Sequence, residues 1–299
     1  MSERRHLLIF GLGYSGAAVA RDAVAAGFQV TATSRDPKAR TAPSGVALVA
    51  FEAAGEALSS ASHVLATAPP SEAGDPALAA FAARLREAPH LRWVGYLSTT
   101  GVYGDRQGGW VDETSDVSAL SSRAARRIAA EREWARLADR CAVDLFRVAG
   151  IYGPGRSILD DLRAGRARRV IKPGHAFGRV HRDDIAGAVL AAMQQTLSPG
   201  LRVLHLADDL PEESAIVTAH GAELLGLTPP QAIAYEDALP GMGEMARSFW
   251  ADNRKVASRL TQEILSYRWR YPTYREGLSA ILAEERGEQP EQHIDIARA

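Results

Sequence analysis

Near the start of the chain a short apolar run, HLLIF at 6–10, opens directly into GLGYSG at 11–16. An Ala-rich stretch of helical composition, 17–26, follows and stops at Gly27. A strand, three glycines spaced G-x-G-x-x-G and a helix are compatible with few folds. The first glycine permits a tight turn. The second lets a pyrophosphate approach the backbone, and the third lets the helix pack close to the strand. The helix start offers N–H groups and partial positive charge to phosphates. Gly11, Leu12, Gly13, Tyr14, Ser15 and Gly16 are the expected dinucleotide contacts. A tight turn with no ligand is the plainer alternative.

The alternation continues along the chain. Stretches 28–34, 46–51, 63–68, 91–98 and 142–150 read as strands. Residues 76–88 read as a helix, because Leu78, Phe81, Ala82 and Leu85 recur at helical spacing. A longer helix is expected over 121–140. Strands alternating with helices predict an α/β, doubly wound parallel sheet of the Rossmann type, with ligands at the carboxyl ends of its strands. Residues 1–150 form the dinucleotide-binding core of this reading, and 151–283 an interleaved, smaller C-terminal substrate-side region. Within that region a helix starts near Asp183 and Asp184, 201–207 returns to the sheet, and 211–225 is helical. Residues 284–299 are a polar tail, expected to fray.

The bulk numbers narrow the class. The chain has 299 residues, 46% apolar and 24% charged, as in an ordinary soluble protein. A net charge of -1 gives no reason to expect nucleic acid or an anionic membrane. No apolar window approaches ~20 residues, and the first apolar run is too short for a signal-peptide core. Cys141 is the only cysteine, which excludes an intramolecular disulfide and fits a reducing cytoplasm. His175 and His181 lack metal-ligand spacing, so no metal is expected.

The end of the second strand bears on the cofactor. An NAD site usually places an acid there for the ribose hydroxyls. Here Ser34 and Arg35 take that place, and Arg35 suits a 2′-phosphate. Asp36 either caps the next turn or reaches a ribose. NADP is the expected cofactor, with NAD as the alternative.

Four segments in order carry a resemblance: LSTTGVYGD (97–105), RVAGIYGPG (147–155), VHRDDIAGAV (180–189), and DNRKVASRL (252–260) with YPTYREGL (271–278). With the glycine loop they resemble the NAD(P)-dependent epimerase/dehydratase family, part of the extended short-chain dehydrogenase/reductase superfamily. The resemblance places Thr99 at the family's catalytic Ser/Thr position. It implies that Thr67, Ala68, Pro69 and Pro70 line the cofactor, that Glu52 lies near adenine, and that the loop from Val148 to Ile151 meets the nicotinamide amide. It also implies a small-molecule substrate, and a homodimer through the long helix is common in the family.

One part of the pattern is missing. The family sets a Tyr and a Lys four residues apart on the long helix, with a Glu four beyond. Counting back from Glu131 puts Arg127 at the Lys position and Arg123 at the Tyr position. Arginine stays charged and cannot pass a proton as the Tyr does. Arg127 retains the ability to donate to the nicotinamide ribose. Tyr103, or a water held by Thr99, is the candidate replacement acid. Arg156 is a candidate contact for a substrate anion. The expected function is an oxidoreductase or epimerase-like enzyme of atypical type, acting on a carbonyl, an alcohol or a sugar nucleotide. The alternative is a catalytically silent NADP(H)-binding sensor or scaffold.

Overall fold

All five residues of the first strand, β1 (His6–Phe10), are buried, and their side chains alternate between two faces. Leu7 and Ile9 join one apolar core, and Leu8 and Phe10 join a second. A strand buried on both faces belongs in the middle of a layered sheet, and β1 lies there. The computed structural model describes residues 5–196 and 198–288.

The sheet has six further strands: β2 (Gln29–Ser34), β3 (Val46–Ala50), β4 (His63–Ala66), β5 (Trp93–Thr99), β6 (Ala142–Val148) and β7 (Gly200–Leu206). Every pairing is parallel, in the order β7-β6-β5-β4-β1-β2-β3. The doubly wound α/β expectation is therefore met, and the 201–207 run returns to the sheet as β7 beside β6. The chain reverses its direction of strand addition between β1 and β4, the position at which such sheets open a crevice for ligands.

Helices cover both faces. On the first core lie α1 (Tyr14–Ala25) and, from the C-terminal half, α4 (Arg182–Gln194). On the second lie α2 (Pro76–Glu87) and α3 (Ser122–Ala135). The ends follow sequence chemistry. Gly27, at φ 81°, follows α1 in the left-handed conformation. Asp75 Oδ1 accepts from the N–H groups of Ala77 and Leu78, with Pro76 in the first turn of α2. Ser121 caps α3 by accepting from Ala124 N–H at 3.1 Å.

Two expected boundaries are corrected. The 121–140 helix ends at Ala135, after which i to i+3 bonds such as Leu137 N–H to Trp134 carbonyl tighten the chain into turns. The 142–150 strand ends at Val148. Residues Gly150–Tyr152 leave the sheet to pair with Arg179–His181.

The rest of the chain is stitched to the core by short two-stranded pairings, among them Trp110–Val111 with Lys255–Val256. It carries α5 (Ser214–Leu224), α6 (Glu244–Ala251) and α7 (Tyr274–Glu285). Glu284 and Glu285 close α7, and most of the expected frayed tail lies outside the described residues. Among the described residues no helix is long and apolar enough to cross a membrane.

Candidate functional site

The glycine loop leaves the carboxyl end of β1 between β4 and β2. Gly11 adopts φ 99°, and a side chain there would press on Thr67 Oγ1 at 3.0 Å. Thr67 itself donates to the Gly11 carbonyl at 2.6 Å, while Thr33 Oγ1 accepts from Gly11 N–H at 3.0 Å. The hydroxyls at the ends of β4 and β2 thus set the shape of the loop. A β-carbon on Gly16 would sit 2.7 Å from the Gly11 carbonyl oxygen, so helix and strand pack too closely for any other residue. At Gly13 a β-carbon would meet nothing within 4 Å. Gly13 is the N-cap of α1, no side chain caps that end, and the first helical bond runs from Ala17 N–H to the Gly13 carbonyl. Space, open N–H groups and helix polarity therefore coincide at Gly13, and these residues fit a dinucleotide pyrophosphate.

At the end of β2, the Asp36 carboxylate accepts from Lys38 N–H and Ala39 N–H at 3.1 and 3.2 Å. It is the turn-capping alternative that the structure adopts. The Ser34 hydroxyl joins the same turn, and Arg35 is exposed. Arg40, which sequence reasoning overlooked, reaches back to donate to the Leu12 carbonyl inside the glycine loop. A signal was present: Arg35, Lys38 and Arg40 form a basic run directly after the strand. Glu52 lies exposed in a single 3-10 turn after β3. Thr67 and Ala68 are half-buried beyond β4, followed by Pro69 and Pro70.

Two strands along the sheet, Thr99 ends β5 and caps the single 3-10 turn Thr100–Tyr103. Its Oγ1 accepts from Gly101 N–H at 3.1 Å, and its own hydrogen has no acceptor among the described residues. Thr99 opens onto a cavity of about 720 Å³. Val148, Gly150 and Ile151 line one wall, and Phe177, Phe249 and Trp250 form an apolar roof, the last two from α6. Arg123 and Ser121 from the start of α3 complete the rim. The structure therefore brings Thr99, Val148 and Ile151 together, from segments about fifty residues apart in the chain.

Tyr103 is corrected: it does not reach this cavity. Its ring is fully buried. Its hydroxyl meets Arg147 Nη1 at 2.7 Å, His205 Nε2 at 2.5 Å and the Asp112 carbonyl at 3.1 Å. Burial pushes the phenol up to about 12, with Arg147 opposing. A tyrosine enclosed in this way has no path to a substrate proton. Arg127 also points elsewhere, donating to the Tyr96 hydroxyl at 3.0 Å and the Leu97 carbonyl at 2.9 Å.

Glu131, four residues beyond Arg127, has a definite task. It takes the Ser98 hydroxyl at 2.5 Å and two guanidinium contacts from Arg147, at 2.8 and 3.2 Å. Ser98, Glu131, Arg147, Tyr103 and His205 thus form one buried hydrogen-bonded chain under the floor of β5 and β6. Adjacent hydroxyls on β5 face opposite ways, Ser98 into this network and Thr99 into the cavity.

Other candidates resolve into local roles. His181 caps α4, its Nδ1 accepting from Asp183 N–H at 3.2 Å, and burial pulls its imidazole down to about 4. His175 packs against Phe177 and Trp250. Arg156 lies over the Tyr14 ring at 5.6 Å, outside the cavity lining. The Tyr14 hydroxyl donates to the Pro154 carbonyl at 2.9 Å, tying the glycine loop to the GPG turn. The 104–113 loop is fixed by Asn253, whose carbonyl takes the N–H groups of Arg106 and Gly108.

No family model matches the chain. Protein YeeZ of Escherichia coli strain K12 is 28% identical, over 76% of this chain and 86% of its own length. A conserved protein of unknown function from Silicibacter pomeroyi superposes with a TM-score of 0.85 at 38% identity, covering 94% of this chain and 99% of its own. The human epimerase family protein SDR39U1, solved with NADPH, superposes with a TM-score of 0.71 at 17% identity, covering 92% of this chain and 98% of its own.

Proposed function

We propose that this chain, which belongs to one family with the Silicibacter pomeroyi protein and has the fold of the NAD(P)-dependent epimerase/dehydratase branch of the extended short-chain dehydrogenases, is an NADP(H)-dependent oxidoreductase of atypical type. The observation that carries this reading is the coincidence at Gly13 of open space, an uncapped helix start and a neighbouring cation, Arg40. Arg35 and Arg40, with Asp36 consumed by its own turn, favour a 2′-phosphate over a bare ribose. The neighbouring folds are solved with either cofactor, SDR39U1 with NADPH and MoeE5 with NAD, so the preference rests on the two arginines.

A bound nicotinamide would supply or accept a hydride. The chain's part is to hold a substrate oxygen by the Thr99 hydroxyl, with the backbone of 148–151 against the nicotinamide. In a carbonyl reduction the Thr99 hydroxyl would hold the substrate oxygen by donating its hydrogen bond, and the proton that oxygen finally needs would come from solvent, with Thr99 as the relay.

A second reading has a specific observation behind it. The family's Tyr and Lys are replaced by arginines, and Tyr103 is walled into the core. Both features suit a protein that binds NADP(H) without turnover. Fluorescence titration with NADPH, followed by its decay against a panel of carbonyls and sugar nucleotides, separates the two. Decay that falls about 100-fold in Thr99→Val, with NADPH affinity held, is the outcome expected for an enzyme. Binding without decay on any compound favours the silent reading, and failure to bind NADPH or NADH sinks both.

A further inference from the structure

The cation beside Thr99 comes from the far end of the chain. Arg254 lines the cavity in the 252–256 segment, against the Thr99 turn. Its Nη1 donates to the Gly104 carbonyl at 3.0 Å and to Asp252 Oδ2 at 3.1 Å. Its Nε is buried with no partner among the described residues. A β-carbon built on Gly101 would lie 3.3 Å from Thr99 Oγ1 and 3.8 Å from Arg254 Nη2. The missing side chain of Gly101 thus leaves one gap that both the hydroxyl and the guanidinium border.

Charge narrows what fits there. The lining holds Arg123, Arg179 and Arg254 against Asp105 and Asp252, a formal surplus of one positive charge. Arg179 is occupied, with Nη1 donating to the carbonyls of Phe177 and Glu212. Arg123 is exposed on the rim, 5.9 Å from the Phe249 ring. Arg254 is the lining arginine that combines a half-buried side chain, an N–H unpartnered among the described residues and proximity to Thr99. A guanidinium edge matches the two oxygens of a carboxylate. A phosphate dianion would bring a second negative charge toward Asp252 and Asp105.

We propose that the cavity takes a substrate bearing a single carboxylate, seated on Arg254 next to the oxygen that Thr99 holds. This rests on the oxidoreductase reading only for the role of Thr99. The charge preference stands with or without turnover.

The test uses the full chain, with and without NADP+, in calorimetric titrations. The probes are matched pairs: pyruvate with hydroxyacetone, and glucuronate with glucose, plus glucose 6-phosphate. In at least one pair the carboxylate is expected to bind about tenfold tighter than its neutral twin and than the phosphate. Arg254→Gln should erase that preference and Arg254→Lys should restore part of it. Because Arg254 also holds the Gly104 carbonyl, Gly101→Ala serves as a second variant. It fills the shared gap while leaving the arginine's own bonds in place, and it should weaken carboxylate binding. Three outcomes overturn the proposal: no carboxylate binding, equal or tighter binding of the neutral or phosphate probes, or a preference unmoved by these variants. A parallel NADPH titration judges the cofactor reading separately, since the cofactor-free titrations still report the carboxylate preference if that reading fails.

Discussion

The glycine loop and the Thr99 turn stand at the carboxyl edge of one sheet, with only β4 between their strands. At the glycine loop Gly11 and Gly16 are small because a β-carbon would press on Thr67 Oγ1 or on the Gly11 carbonyl, Gly13 opens onto space, and the side chains of Thr33 and Thr67 shape the backbone. At the Thr99 turn the surrounding polar groups have turned inward. Ser98, Glu131, Arg147, Tyr103 and His205 bond to one another, and Thr99 is left facing the cavity with Arg254 beside it. One end of the cleft keeps open space at an uncapped helix start. At the other, the helix that would carry a proton-transfer pair instead supplies a structural ion pair.

That contrast can be tested by asking whether stability and binding separate. The largest effect is expected from Glu131→Ala. It leaves the Arg147 guanidinium buried without its carboxylate and should cost about 3–5 kcal/mol in urea unfolding. NADPH affinity of the folded protein should stay within about twofold. A comparable loss of NADPH affinity would mean that the network does serve the cofactor.

Next comes acid. His63 is buried on β4, with ring contacts to Phe28 and Trp93, and desolvation pulls its imidazole from 6.5 to about 4. The unfolded chain takes up that proton near pH 6.5, while the folded chain refuses it until about 4. The contribution is therefore complete above pH 6.5 and is lost as pH falls toward 4, by up to about 3 kcal/mol. His63→Gln should flatten this slope in denaturation curves run from pH 7 to 4. His181 acts in the same direction.

Gly13→Glu should show the reverse of Glu131→Ala. Nothing lies within 4 Å of the new β-carbon, so the melting midpoint should hold. The carboxylate occupies the anion's place, and NADPH binding should weaken about 100-fold in a fluorescence titration. The smallest effect is assigned to Arg40→Ala: about tenfold weaker NADPH, with NADH nearly unchanged. Equal losses for the two cofactors would assign Arg40 to loop shape alone, through its bond to the Leu12 carbonyl.

The glycine-loop end was legible in the sequence because its instructions are local. Gly11, Gly13 and Gly16 act within six residues, and the strand before them and the helix after them have distinct periodicities. The Thr99 end was legible only in part. Parity along a strand puts Ser98 and Thr99 on opposite faces, but the sequence does not say which face holds the cavity. The single 3-10 turn after Thr99 then carries Tyr103 into the core, which spacing from Thr99 could not reveal. Glu131 with Arg147, and Thr99 with Arg254, are partners joined by tertiary packing alone. Arg40 was missed for a different reason: it lies beyond the strand end where a cofactor-selecting residue is sought, and folds back.

The pairing of 104–111 with 252–256 has a consequence for the order in which the molecule assembles. The bonds from Arg254 to Gly104 and from Asn253 to Asp105 span 150 and 148 residues of chain, whereas six of the seven sheet strands are complete by Val148. Closing so long a loop is entropically costly before its contacts form. A nascent chain can therefore lay down the glycine loop and its supporting strands well before the far wall of the cavity arrives.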